Sequence, residues 1–148
     1  MTDTTATMTT RTPWHLWAVG VISLLWNAFG GYDFIMSVTQ GETYWRASGM
    51  TDEMIAYYNA MPTWMYVPWV LGVWGAVAGS ILLLARSRFA VHAYAVSLLG
   101  LAVTQFYRRL AERPAWLQGD LVFNLLLWSI ATFLLIYAVS MRRKGVLR

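Results

Sequence analysis

The side chains of this sequence that could do chemistry are few, and most sit in apolar surroundings. Asn27 and Asp33 interrupt LLWNAFGGYDF, Thr104 and Gln105 interrupt LAVTQFYRR, and Asn124 interrupts DLVFNLLLW. Arg108 and Arg109 follow Gln105 within one helical turn. An amide donates and accepts hydrogen bonds, a carboxylate only accepts, and a guanidinium only donates. Such a set could hold a small solute, a lipid headgroup or a quinone headgroup. Its simpler use is hydrogen bonding between helices, worth about 0.6 kcal/mol per contact in a membrane. Left unpartnered in hydrocarbon, each group costs several kcal/mol, so these side chains must face one another or water.

Other chemistry finds little footing. There is no cysteine, which removes disulfides, thiol nucleophiles and Cys-based zinc or iron–sulfur sites. His15 and His92 are far apart and lack metal-ligand spacing, so no metal site and no cofactor are predicted. His92 alone, one turn inside a span, could relay a proton or ligate a haem, but no second histidine is placed to complete a bis-His pair. The chain carries no G-x-S-x-G, H-E-x-x-H or P-loop, and no paired carboxylates within a span. A non-catalytic role is therefore expected.

Composition says what must position these groups. The chain has 148 residues, 58% hydrophobic and only 12% charged, with nine Trp and eight Tyr and a mean hydropathy of +0.48. A soluble domain has about 25% charged residues. A spanning helix needs about 20 mostly apolar residues. Four stretches qualify, at 14–37, 64–85, 89–107 and 121–141, within one domain over 14–141. The prediction is an all-α membrane protein, an antiparallel four-helix transmembrane bundle. Residues 1–13 read as a disordered polar tail and 142–148 as a basic one.

The formal charge of +4 follows membrane topology rather than nucleic acid, which is not expected as a partner. With the termini in the cytoplasm, Arg11, Arg86, Arg88, Arg142, Arg143, Lys144 and Arg148 lie inside, against Arg46, Arg108, Arg109 and Arg113 outside. This N-in, C-in arrangement puts Asn27, Asp33, Thr104, Gln105 and Asn124 in the outer half, as one outward-facing cluster near Arg108 and Arg109. Arg108 and Arg109 are the expected partners of Asp33.

Between the first two spans, SGMTDEMIAYYNAMP predicts one short amphipathic helix. Thr51 is a good N-cap, Asp52 and Glu53 suit a helix start, and Pro62 ends the segment. Met54, Tyr57, Tyr58 and Met61 would share its apolar face. Arg86-Ser87-Arg88 leaves room only for a tight hairpin between the second and third spans. Gly72, Gly75 and Gly79 of the second span, and Ala93, Ser97 and Gly100 of the third, predict two small-residue faces in contact.

LLWNAFGGYDF, MPTWMYVPWVLGVWGAVAGSILLLARSRFAV, AVSLLG and MRRKGVLR together resemble a group of small four-span inner-membrane proteins of proteobacteria. Some members of that group carry an automatic "sugar transporter" label. The resemblance implies a multi-pass protein of the bacterial inner membrane, in contact with membrane lipids. The function expected is an accessory or assembly subunit of a larger membrane complex, respiratory or photosynthetic, whose partners are other membrane-protein subunits. The alternative is a small solute transporter or channel using the outer polar cluster. A quinone- or lipid-modifying enzyme is a third class, and a bound lipid or quinone is a ligand the residues allow.

Overall fold

A computed structural model describes residues 11–110 and 121–148. Residues 1–10 of the tail expected over 1–13, and the expected outer loop with Glu112, Arg113, Pro114, Trp116 and Asp120, lie outside the described residues. All regular structure among the described residues is helical. The long helices are α1 (Trp14–Gln40), α4 (Tyr66–Leu84), α5 (Ala90–Leu110) and α6 (Leu121–Arg143). All four are long and apolar enough to cross a membrane, α4 together with the short 3₁₀ turn Thr63–Met65 that leads into it. The protein is thus a polytopic membrane protein built as a four-helix bundle.

α1 continues to Gln40, three residues past the predicted end. Its 27 residues rise about 40 Å at 1.5 Å each, more than a hydrocarbon core of about 30 Å. Gly30 and Gly31 do not break it, and the turn comes at Gly41. The loop holds two short helices, not the single one expected. α2 (Glu42–Ala47) precedes α3 (Asp52–Asn59). Thr51 caps α3 by accepting the Met54 N–H at 3.4 Å. Ile55 is its buried residue, with Met54, Tyr57 and Tyr58 half-buried.

The spans stand in the order α1, α4, α5, α6, each against the next. α2 and α3 lie at one end, called here the loop end. The other, the hairpin end, holds the start of α1 and the α4–α5 turn. α4 and α5 approach most closely, through small residues. A Cβ built on Gly100 would lie 2.5 Å from both the Gly72 nitrogen and the Pro68 oxygen. The Ser97 hydroxyl donates to the Gly72 carbonyl across the same seam. Between α1 and α4, Gly20 lies against Leu84 and Gly31 against Val77.

The core gathers at the hairpin end. Leu16, Leu83, Ala90, Tyr94, Leu134, Ala138 and Met141 form a buried cluster, joined by Val146 and Leu147. Here α1 also reaches α6, through a hydrogen bond between His15 Nδ1 and the Tyr137 hydroxyl. The segment expected only as a basic tail is therefore part of the fold. α6 ends in a Schellman motif. The Val146 N–H bonds the Met141 carbonyl at 3.0 Å, and the Gly145 N–H bonds that of Arg142 at 3.0 Å. Gly145 has φ 71°, where glycine pays no Cβ penalty. The reversal seats Val146 and Leu147, 6% and 4% exposed. Arg148 then pairs with the hairpin. Its N–H donates to the Arg86 carbonyl and its carbonyl accepts from the Arg88 N–H, both at 2.8 Å.

Arg86 closes α4 with the same motif but without glycine. The Ser87 N–H bonds Leu82 and the Arg86 N–H bonds Leu83, with Arg86 at φ 56°. That conformation costs an L-residue about 1–2 kcal/mol. The Arg86 guanidinium donates to the Thr12 hydroxyl at 2.7 Å, and its carbonyl holds Arg148. One strained residue thus ties α1, the hairpin and the C-terminal segment together.

Candidate functional site

The described hydrogen bonds divide the polar residues into separate groups rather than one outer cluster. Asn27 does not join Gln105 and Asn124. Its Nδ2 donates to the Ser80 hydroxyl at 3.0 Å and to the Ala76 carbonyl at 3.3 Å. Ser80 lies in the last turns of α4, toward the hairpin end, so the register of α1 on α4 draws Asn27 away from the loop end. Ser80 also donates to the Ala76 carbonyl at 3.0 Å and lies 3.1 Å from the Tyr94 hydroxyl. A hydroxyl has one hydrogen and two lone pairs. With its hydrogen on Ala76, Ser80 accepts from both Asn27 and Tyr94 and has no capacity left. This buried network joins α1, α4 and α5. Among the described residues, Asn27 Oδ1 accepts no hydrogen bond.

Gln105 and Asn124 do pair, Nε2 to Oδ1, joining α5 to α6 near the loop end. Thr104 spends its hydroxyl on the Gly100 carbonyl of its own helix, at 2.9 Å.

Among the described residues Asp33 is not paired with an arginine. Its Oδ1 accepts from the Tyr44 hydroxyl of α2 at 2.9 Å. Arg108 instead donates to the Tyr58 hydroxyl of α3 at 2.6 Å, with its guanidinium 5.8 Å from the centre of that ring. Trp45 stacks at a tilt 5.5 Å from Tyr58, and its indole N–H donates to the buried Ser37 hydroxyl. Tyrosines of the loop helices thus take the charged ends of the spans. Arg46 binds Glu42 and Asp52, both at 2.7 Å, on the exposed surface. Such exposed pairs contribute little to stability.

The bond to the Asp33 carboxylate raises the Tyr44 pKa above the ordinary value of 10, because ionising the phenol would remove its donor beside a negative charge. The raised value belongs to the folded state. Stability from this contact is therefore complete below pH 10 and is lost as pH rises through the raised value. Asp33→Asn is expected to bring Tyr44 ionisation back toward 10. A ¹⁹F titration of fluorotyrosine at position 44 reads this directly, and an unchanged midpoint would contradict the contact.

His92 is exposed, with its ring 5.9 Å from Phe89. Among the described residues no group of three His, Asp or Glu could hold a metal ion. The residues that sequence reasoning passed over are Tyr44, Tyr58, Tyr94, Tyr137 and His15. All are partners across helices, and a phenol hydroxyl or an imidazole beside apolar runs was their only signal. The chain matches no family model, no curated protein and no solved structure. What its side chains can do must come from this geometry.

Proposed function

We infer that the chain is a non-catalytic subunit that assembles laterally with other membrane proteins, as an accessory or assembly factor of a larger complex. The observation that carries this reading is Asn27. It lies at the centre of the 27-residue α1, half-buried, and its Oδ1 has no donor among the described residues. In hydrocarbon such an acceptor costs several kcal/mol, and a donor from a neighbouring helix would remove the cost. The start of α6 agrees. Leu121, Val122, Phe123, Leu125 and Leu126 are all exposed, a broad apolar arc on the sides of the helix that Asn124 does not turn toward α5.

A solute carrier would need a polar path past Asn27. Ser80, saturated by its partners, offers a solute nothing there. Seven basic residues, Arg11, Arg86, Arg88, Arg142, Arg143, Lys144 and Arg148, gather at the hairpin end against Arg46, Arg108 and Arg109 at the loop end, and the described acids Asp33, Glu42, Asp52 and Glu53 lie at the loop end. This separation supports a cytoplasmic hairpin end. The likeness of LLWNAFGGYDF and its companion stretches to the four-span proteobacterial group supports a bacterial inner-membrane setting.

The test is a native gel of the full chain, extracted from its own membrane in mild detergent. It is expected to migrate well above its 16.8 kDa mass with other subunits. Asn27→Leu is expected to shift it to the free form while the isolated chain still folds. Migration of the unaltered chain alone, or as a homo-oligomer, would refute the subunit reading.

A further inference from the structure

A groove of about 580 Å³ runs along the seam between α5 and α6, within the range of about 300–1,000 Å³ typical of ligand sites. It is lined by Ala102, Val103, Gln105, Phe106, Arg109 and Trp128. The seam opens because the residues of α6 in the buried core, Leu134, Ala138 and Met141, all belong to its hairpin half. Both walls are membrane spans, so the opening faces the bilayer.

The lining is graded. Arg109 stands at the loop end, Gln105 lies one turn deeper, and Ala102 is about 10 Å below Arg109 by helical rise. Val103, Phe106 and Trp128 supply apolar walls. Among the described residues no carboxylate lines the groove and Arg109 forms no ion pair. Its neighbour Arg108 is already engaged by Tyr58. A guanidinium with no ion pair among the described residues, at headgroup depth above an apolar trough, calls for an anionic head carried on an acyl chain. A quinone has the tail but not the charge.

We propose that this groove holds one anionic glycerophospholipid, its phosphate on Arg109 and an acyl chain along Ala102, Phe106 and Trp128. The lipid fills the space that α6 leaves open and anchors the weakly seated half of that helix. The site is independent of the subunit reading, since it needs only this chain.

Native mass spectrometry tests it, on the full chain exchanged into equal amounts of phosphatidylglycerol and phosphatidylcholine. One phosphatidylglycerol per chain is expected to be retained in preference. Arg109→Gln should weaken its retention about fivefold, while phosphatidylcholine adducts stay as they were. Arg109→Lys should keep the preference. Ala102→Trp, which fills the trough, should remove the bound lipid, and Arg143→Gln at the hairpin end should change nothing. The proposal is overturned if neither lipid is preferred or if Arg109→Gln retains phosphatidylglycerol fully. It is also overturned if Arg143→Gln causes an equal loss, or if excess inorganic phosphate displaces the adduct. A chain that retains no lipid would leave Arg109 to a protein carboxylate and overturn it too.

Discussion

Gly100→Ala is expected to be the most damaging single-methyl change in the chain. The added carbon would sit 2.5 Å from two backbone atoms of α4 and 2.9 Å from the Gly72 Cα. Neither helix can yield locally, because the obstacle is main chain on a regular helix. α4 and α5 must move apart, which breaks the Ser97–Gly72 hydrogen bond and loosens the small-residue seam along its length. Overpacking of this kind costs about 1–3 kcal/mol, occasionally more, and a backbone clash belongs at the upper end. The other glycines rank below it. Gly75→Ala meets Ala93 and Ser97 at 3.1 Å, and Gly72→Ala meets backbone only at 3.4 Å. Gly30→Ala meets nothing within 4 Å and should be neutral or mildly stabilising, since alanine favours helix. Unfolding of the purified chain by a graded denaturing detergent measures the series. Equal stability of the Gly100→Ala and Gly30→Ala variants would show that α4 and α5 do not meet as described.

The second large effect is expected at the C-terminal segment. The double variant Val146→Asp, Leu147→Asp places two carboxylates where two apolar side chains are buried. Carboxylates cannot occupy that site unpaired, so the segment must leave it. The lost burial is about 1.5–3 kcal/mol for each side chain. Stability should fall by roughly 3 kcal/mol or more, and the Arg88 amide, which donates to Arg148, should lose its protection. Hydrogen exchange at Arg88 separates undocking from a general loss of structure, which would raise exchange along α4 and α5 as well. Unchanged exchange at Arg88 would contradict the docked segment.

The four spans were legible because length and apolarity alone specify them, and the predicted ranges differ from the helices by at most a few residues. The end of α1 was misjudged because Thr39 and Gln40 look like loop residues. Thr39 in fact bonds back to the Ile35 carbonyl and the helix runs on. α2 was missed because GETYWRASG is short and flanked by glycines, with too few residues for a periodic signal.

Apart from Gln105 with Asn124, the polar pairings could not be read, for a physical reason. Depth counted along each helix from an assumed boundary placed Asn27 near Gln105. Actual depth depends on how far one helix slides along its neighbour, and the contact of Gly20 with Leu84 sets that offset for α1 and α4. Asp33 and Arg108 looked complementary in charge, yet each is satisfied by a tyrosine from the loop helices. The C-terminal segment was judged by its charges. Gly145 followed by Val-Leu-Arg was the sign of a reversal carrying two apolar residues back to the core.

The position of Val146 and Leu147 in the chain also bears on the order of assembly. α4 and α5, joined by a short turn, can pair as soon as both have inserted, and nothing in their glycine seam waits for later residues. The core at the other end differs. It draws on the start of α1, the α4–α5 turn and the segment after α6, so it closes only when the last of these has left the ribosome. Until then Leu83, Ala90 and Tyr94 wait with one wall of their seat missing. A chain truncated after Arg143 would therefore hold four inserted helices with that end still unlatched.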